Sequence, residues 1–344
     1  MVSLNDPSWI KTIYAVNSNW LKADHVIWQT GCFTIPGTSS AATFSTPFGF
    51  LDKASDIDGT MSVADKAMDY FAAVGMIPVL DYFFDKNPIY RIGPPAFTFV
   101  TNTSLKFVQA RLTGEDKHDI SKPDFLDHFL EAKKTHPDIV DDRMVISYLL
   151  INMIAGADTT AIVLRAVISY TLKNPRVYKK LKKELDEANL PTPVSYKDAR
   201  TLPYLDAVIQ ESMRIHPGIG MALERIVPPG GVTIAGHYLP AGTVVGINPW
   251  VTSIDKNVYG QDAECFRPER WLQEEDEDPE AYKERLQRMK NCDLTFGAGS
   301  HICIGKNLAL LEVYKVIPTL LLLYDVSIFS SLLFELKNLV QILT

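Results

Sequence analysis

Residues 296 to 305 read Phe-Gly-Ala-Gly-Ser-His-Ile-Cys-Ile-Gly and lead straight into an apolar run that begins at Leu308. Glycines at 297 and 299 allow backbone angles that a side chain would forbid, so this stretch is a loop. Its cysteine, Cys303, is thereby carried to the N-terminus of a helix starting near Gly305. Backbone N–H groups and the helix dipole at such a terminus favour a thiolate over a thiol. Phe296 is spaced to shield the sulfur from water, and Gly305 leaves room for a flat ligand to approach the backbone. These features suit the presentation of a thiolate to haem iron, whose electron donation favours O–O cleavage, so the chemistry expected is oxygen activation.

Other readings of the loop are weaker. A dinucleotide fingerprint starting at Gly297 needs glycine at 302, where Ile302 stands, and no β-rich run precedes it. A zinc site of Cys292, His301 and Cys303 lacks paired Cys-x-x-Cys spacing. An ordinary buried cysteine is the remaining alternative.

The chain has 344 residues, 47% apolar and 22% charged, enough to bury a sizeable core. Its net charge of −7 argues against nucleic acid as a partner. Cys32, Cys265, Cys292 and Cys303 are too sparse for a disulfide framework, which points to a reducing compartment. Met1 to Ala15 carries Asn5, Asp6, Pro7 and Lys11 within its apolar pattern, so it reads as neither signal peptide nor membrane span. Leu308 to Phe334 is interrupted by Glu312, Lys315, Pro318 and Asp325 and reads as a buried helix plus tail.

No internal repeat or long linker divides the chain, so a single domain is expected over 1–344. Helical periodicity is strongest from Asp141 to Leu172, stopped by Asn174 and Pro175. Helices are expected from Pro175 to about Asn189 and from Leu202 to Ile215, with short strands around Val232–Ile234 and Tyr238–Val245. The class is mainly α with a minor β portion.

Within the long helix lies Ala155-Gly156-Ala157-Asp158-Thr159-Thr160. Its glycine costs about 1 kcal/mol relative to alanine and invites a local opening of the hydrogen-bond ladder. The bland reading is that Asp158 and Thr159 bond to neighbouring backbone. Glu211 and Arg214 stand three apart on one helical face, a common and usually solvated pair. Phe266-Arg267-Pro268-Glu269-Arg270-Trp271 follows downstream.

Phe-Gly-x-Gly-x-basic-x-Cys-x-Gly is the haem-binding signature of the cytochrome P450 family, and with the two segments above in the same order the chain resembles that family. The likeness is to fungal members of secondary metabolism, including those similar to pisatin demethylase. It is strong from Asp141 to Asp325, weaker before, and fades beyond. It implies an incomplete cytochrome P450 fold: a partial substrate-side region over 1–140, a haem-binding core over 141–325 and an atypical tail over 326–344.

The resemblance also assigns roles. Cys303 would ligate the iron of haem b, with Phe296, Gly297, Gly299 and Gly305 forming its loop. Asp158 would shuttle protons, and Thr159 would be the hydroxyl that hydrogen-bonds the iron-bound peroxo group. Arg270 would join Glu211 and Arg214 in a buried structural triad. Arg225 and His301 lie at family positions for the haem propionates. His301 departs from the commoner arginine; a histidine reaches less far and is charged near neutrality only where a carboxylate favours it.

Other departures concern what is missing. The family usually carries a Trp-x-x-x-Arg helix, yet none of the five tryptophans has arginine four residues on. An internal stretch around Cys32 to Pro47 reads as deleted, both ends read as short, and Ile328 to Thr344 does not read as a closing strand hairpin. No membrane anchor is seen, although similar enzymes are tethered to the endoplasmic reticulum, so the chain reads as soluble or peripheral as it stands.

Lys283, Arg285, Arg288, Lys290 and Lys306 flank the cysteine loop as a basic patch that would attract an acidic, NADPH-dependent flavoprotein reductase. The run Glu274 to Glu280 reads as an exposed loop. Ile219, Met221 and Leu223 suggest a pocket for a small lipophilic substrate. The expectation is a monomeric haem-thiolate monooxygenase that inserts one oxygen atom from O2 into such a substrate in fungal secondary metabolism. The alternatives are a truncated, weak or inactive relative, and a reductase-independent haem protein that uses peroxide.

Overall fold

The computed structural model describes residues 2–4, 6–14, 36–49, 55–77, 79–90, 92–93 and 97–326. The class is mainly α with a minor β portion, as expected. Helices of nine or more residues among the described ones are α1 Pro36–Phe44, α2 Thr60–Met76, α3 Thr98–Thr113, α4 Phe125–Thr135, α5 Asp142–Lys173, α6 Pro175–Ala188, α7 Pro203–Ile215, α8 Pro279–Cys292 and α9 Lys306–Leu323. The strands are β1 Val2–Leu4, β2 Leu223–Ile226, β3 Val232–Ile234, β4 His237–Leu239 and β5 Val244–Ile247.

The described residues fall into two compact units: 2–14 with 162–326, and 36–161. The division falls inside α5. In the first unit β5 is central, pairing parallel with β1 and antiparallel with β2, while β3 and β4 form a separate hairpin. The N-terminal segment is thus built into the sheet. Tyr14 secures it: its phenol donates to the Leu223 carbonyl and accepts from the Ile247 amide at 3.1 Å. Ile10, Ile13, Val227, Ile234, Val245, Ile247 and Leu294 pack around that tie.

The second unit gathers Phe44, Val100, Leu126, Val140, Val145, Leu149 and Met153 into one core, so the first half of α5 is anchored by an i, i+4, i+8 stripe. Asp141 caps α5 by accepting from the Met144 amide at 2.8 Å. At the other end the Asn174 side chain donates through Nδ2 to the Tyr170 carbonyl at 2.7 Å, and Pro175 opens α6 at a position where its missing N–H costs nothing. Among the described residues α5 is also the one helix long and apolar enough to cross a membrane by length and composition. One expectation is corrected here. The helix runs unbroken through 155–160, where an opened turn was expected. A single glycine costs only about 1 kcal/mol, and a helix of 32 residues anchored in a core outweighs it.

Residues 32–35 of the Cys32 to Pro47 junction and all of the Ile328 to Thr344 tail lie outside the described residues.

Candidate functional site

The cysteine loop closes on itself through its backbone. The Cys303 amide donates to the Phe296 carbonyl at 2.8 Å, Gly297 to Leu294 at 2.9 Å and Ile302 to Gly299 at 3.2 Å. Gly297 and Gly299 sit at φ 71° and 70°, left-handed angles that explain both glycines. Gly305 caps α9 with no side-chain bond, and Cys303 lies just before it, as the sequence led us to expect. The Phe296 ring is half-buried, with the Lys306 ammonium 5.5 Å from its centre.

Whether these residues suit a haem can be tested on the loop itself. Gly305 has an ordinary backbone angle, φ −80°, so strain does not demand glycine there. A Cβ at that position would stand 3.8 Å from Cys303 Sγ, beside the sulfur where a flat ligand must lie. Cys303 is exposed, and so are the large apolar side chains of Ile302, Ile304, Leu308 and Leu311 around it. A thiol bordered by uncovered aliphatic groups is the surface that a broad apolar iron ligand would cover. The residues therefore fit the group.

Glu211, Arg214 and Arg270 meet in a buried ion-pair cluster. Glu211, Arg214 and Arg270 are respectively 0%, 4% and 1% exposed. Arg214 grips the Glu211 carboxylate with two bonds, at 2.7 and 2.8 Å, and Arg270 Nε adds a third at 3.2 Å. Two further donors went unnoticed in the sequence, the Trp271 indole at 2.9 Å and the Arg267 amide at 2.9 Å. Asp262 was missed as well: it pairs with Arg270 at 2.9 Å and with Arg267 at 2.6 Å. Burial pushes the Asp262 carboxyl upward, but the bonds from Arg270 and Arg267 outweigh it and hold it below its ordinary value. Carbonyls of Ser253, Ala263 and Cys265 around Arg214, and of Tyr259, Asp262 and Cys265 around Arg270, take the remaining guanidinium protons. The triad is thus a clasp that folds 253–271 onto α7.

Arg225, on β2, is 5% exposed and lies with its guanidinium 4.7 Å over the Tyr14 ring. It donates to the neighbouring Glu224 carbonyl at 2.7 Å, and among the described residues no carboxylate forms an ion pair with it. Burial lowers its pKa, the cost of holding a cation there. A buried cation of that kind suits an incoming carboxylate. His301 is exposed on a 3-10 turn, Gly299–His301.

In the second unit Asp158 is half-buried, and the Thr159 hydroxyl donates to the Ala155 carbonyl at 2.9 Å, the local back-bond of a helical threonine.

The basic patch is reduced. Arg285 pairs with Glu277 at 2.6 Å and donates to the Arg270 and Leu272 carbonyls, so it braces the chain behind the triad. Lys283 pairs with Glu280 at 2.6 Å. Glu277 is accordingly part of a structural clasp, while 274–276 and 278–280 around it are exposed as expected. Arg288 and Lys290 are exposed, with Lys306 half-buried.

Zinc is not supported at the loop. Among the described residues the one group of three ligand-type side chains within reach of each other is His118, Asp124 and Asp127, and the Arg111 guanidinium already sits on both carboxylates. Cys265, Cys292 and Cys303 are free thiols, and burial raises the Cys292 pKa.

With this geometry in place, comparison with known proteins gives the class: the cytochrome P450 family model matches residues 35–338, and the chain belongs to that family. Among curated proteins it is 50% identical over 290 residues to cytochrome P450 monooxygenase cfoH of Aspergillus candidus, covering 84% of this chain and 54% of that protein. It is 37% identical over 292 residues to cytochrome P450 monooxygenase cicH of Emericella nidulans, covering 83% and 57%. Cytochrome P450 monooxygenase mpaDE of Penicillium roqueforti is 37% identical over 304 residues, covering 86% and 35%. The chain spans about half the length of the curated relatives it matches, and about a third in the last case.

Proposed function

We propose that this chain carries the catalytic core of a haem-thiolate monooxygenase that inserts one oxygen atom from O2 into a small lipophilic molecule of fungal secondary metabolism. The observation that carries the reading is the exposed Cys303, delivered by a glycine-turned loop to the start of α9 with Gly305 leaving space beside its sulfur. Haem b, when bound, supplies the activation of dioxygen. Cys303 Sγ holds its iron, and Arg225 and His301 hold its propionates. The Glu211–Arg214–Arg270 clasp keeps the supporting segment in place. By their match to the family's acid-alcohol pair, the Asp158 carboxyl takes up protons from solvent and the Thr159 Oγ1 passes them on.

The half-buried apolar side chains of Ile219, Met221 and Leu223 favour a hydrophobic substrate. Arg288, Lys290 and Lys306 offer positive charge to an acidic, NADPH-fed flavoprotein reductase. We place the protein at the endoplasmic reticulum membrane as a monomer, acting as one domain. The test is turnover of a lipophilic substrate panel with reductase and isotopically labelled dioxygen. One labelled oxygen per product, lost in Cys303→Ala, is expected; turnover with peroxide alone, or product without label, would refute the reading.

A further inference from the structure

The helix that follows Cys303 is interrupted where it can least afford it. Pro318 lies inside α9 and has no N–H to give the carbonyl of Tyr314 one turn earlier. The hydrogen-bond ladder therefore has a gap between the half that follows Cys303, Lys306 to Ile317, and the half beyond it. Two polar ties hold the far half: the Val194 amide donates to Thr319 Oγ1 at 2.9 Å, and Lys182 Nζ donates to the Leu321 carbonyl at 2.9 Å. The Thr319 hydroxyl also donates to the Lys315 carbonyl at 2.6 Å, spanning the gap within α9, and neither tie joins the near half directly to another element.

A buried phenol does so instead. Tyr314 is 1% exposed, and its hydroxyl donates to Asp206 Oδ1 on α7 while accepting from Arg200 Nη1 at 2.6 Å. Arg200 itself pairs with Asp206, which also accepts from Gln210. The guanidinium stacks 4.7 Å from the centre of the Tyr314 ring, and Tyr196 meets that ring edge-on at 5.9 Å. Burial, reinforced by the Asp206 carboxylate, raises the Tyr314 pKa, so the phenol stays a neutral donor. Val313 and Ile317 pack beside it, but apolar packing tolerates sliding along a helix axis far better than a directional bond to a carboxylate does.

Taking Cys303 as the iron ligand, which is the reading given above, we infer that Tyr314 is a positioning residue for the thiolate. Its clamp between Asp206 and Arg200 sets the axial register of the near half of α9 and hence the height of Cys303 Sγ. Loss of the hydroxyl frees that half to shift about the gap at Pro318, and the sulfur loses its bond to iron in a fraction of the molecules.

The experiment loads the unchanged chain, Tyr314→Phe, Lys182→Met and Cys303→Ala with haem. The reduced carbon monoxide spectrum and the unfolding midpoint of each are then recorded. Tyr314→Phe keeps the ring and removes only the hydroxyl; Lys182→Met removes a tie that lies wholly beyond Pro318. For Tyr314→Phe the ratio of non-thiolate to thiolate complex should rise about fivefold, the factor that one hydrogen bond sets. Lys182→Met should lower the unfolding midpoint without changing that ratio. Equal ratios in the two variants, or an unchanged ratio in Tyr314→Phe, would overturn the positioning role while leaving the haem-thiolate reading intact. Absence of a thiolate band in the unchanged chain would overturn both.

Discussion

Replacing Glu211 by glutamine tests the clasp that folds 253–271 onto α7. Five donors converge on its two carboxylate oxygens: two from Arg214, one from Arg270, the Trp271 indole and the Arg267 amide. Glutamine offers one acceptor oxygen and turns its NH2 toward donors, so some of these bonds become clashes. Charge matters more. Glu211 and Asp262 balance Arg214 and Arg270, and after the substitution Arg270 keeps Asp262 at 2.9 Å while Arg214 keeps only the carbonyls of Ser253, Ala263 and Cys265. Breaking a buried pair so that one charge is stranded costs about 3 to 5 kcal/mol. Urea unfolding followed by circular dichroism and tryptophan fluorescence should show that loss, little changed by salt because the groups are buried. Glu211→Gln/Arg214→Met removes the stranded charge and should lose less than the single variant. A loss under about 1 kcal/mol, typical of a surface pair, or simple additivity in the double variant, would refute the reasoning.

Glu269 supplies a pH test. Burial pushes its carboxyl up, but hydrogen bonds led by Arg176 and joined by Tyr204 bring it from 4.5 down to about 2. A folded-state value below the unfolded one contributes stability that is present above pH 4.5 and lost as pH falls toward 2. Discounted for the exposed Arg176, Glu269→Gln should cost about 1 kcal/mol at neutral pH, and the difference from the unchanged chain should shrink as pH falls through that window in acid unfolding curves. Two glycines of the cysteine loop should separate strain from space. Gly297→Ala, at φ 71°, should cost about 1 to 2 kcal/mol and reduce haem retention, whereas Gly305→Ala, at φ −80°, should leave stability unchanged and weaken haem binding in a titration.

Residues 296–305 were legible because glycine spacing is a local property: left-handed angles at 297 and 299 follow from the residue type, and the helix start follows from the loop. The stretches of α5, α6 and α7 were legible through periodicity and proline. The triad was partly so. Glu211 and Arg214 are three apart on one helix, whereas Asp262 and the Trp271 indole reach the same carboxylate network only through the path of 253–271, which no local pattern encodes. Glu277 and Arg285 looked like separate charge runs because their eight-residue spacing spans the bend into α8. Gly156 misled in the other direction, since its intrinsic cost is small beside the packing of Val145, Leu149 and Met153.

The claim at the centre of this account is that Cys303 ligates haem iron through its thiolate. The chain and its Cys303→Ala variant, each supplied with haem, should be reduced under carbon monoxide and their difference spectra compared. A thiolate-type Soret band in the unchanged chain that vanishes in Cys303→Ala is the predicted result. A band that persists without Cys303, or an unchanged chain that retains no haem, would contradict it.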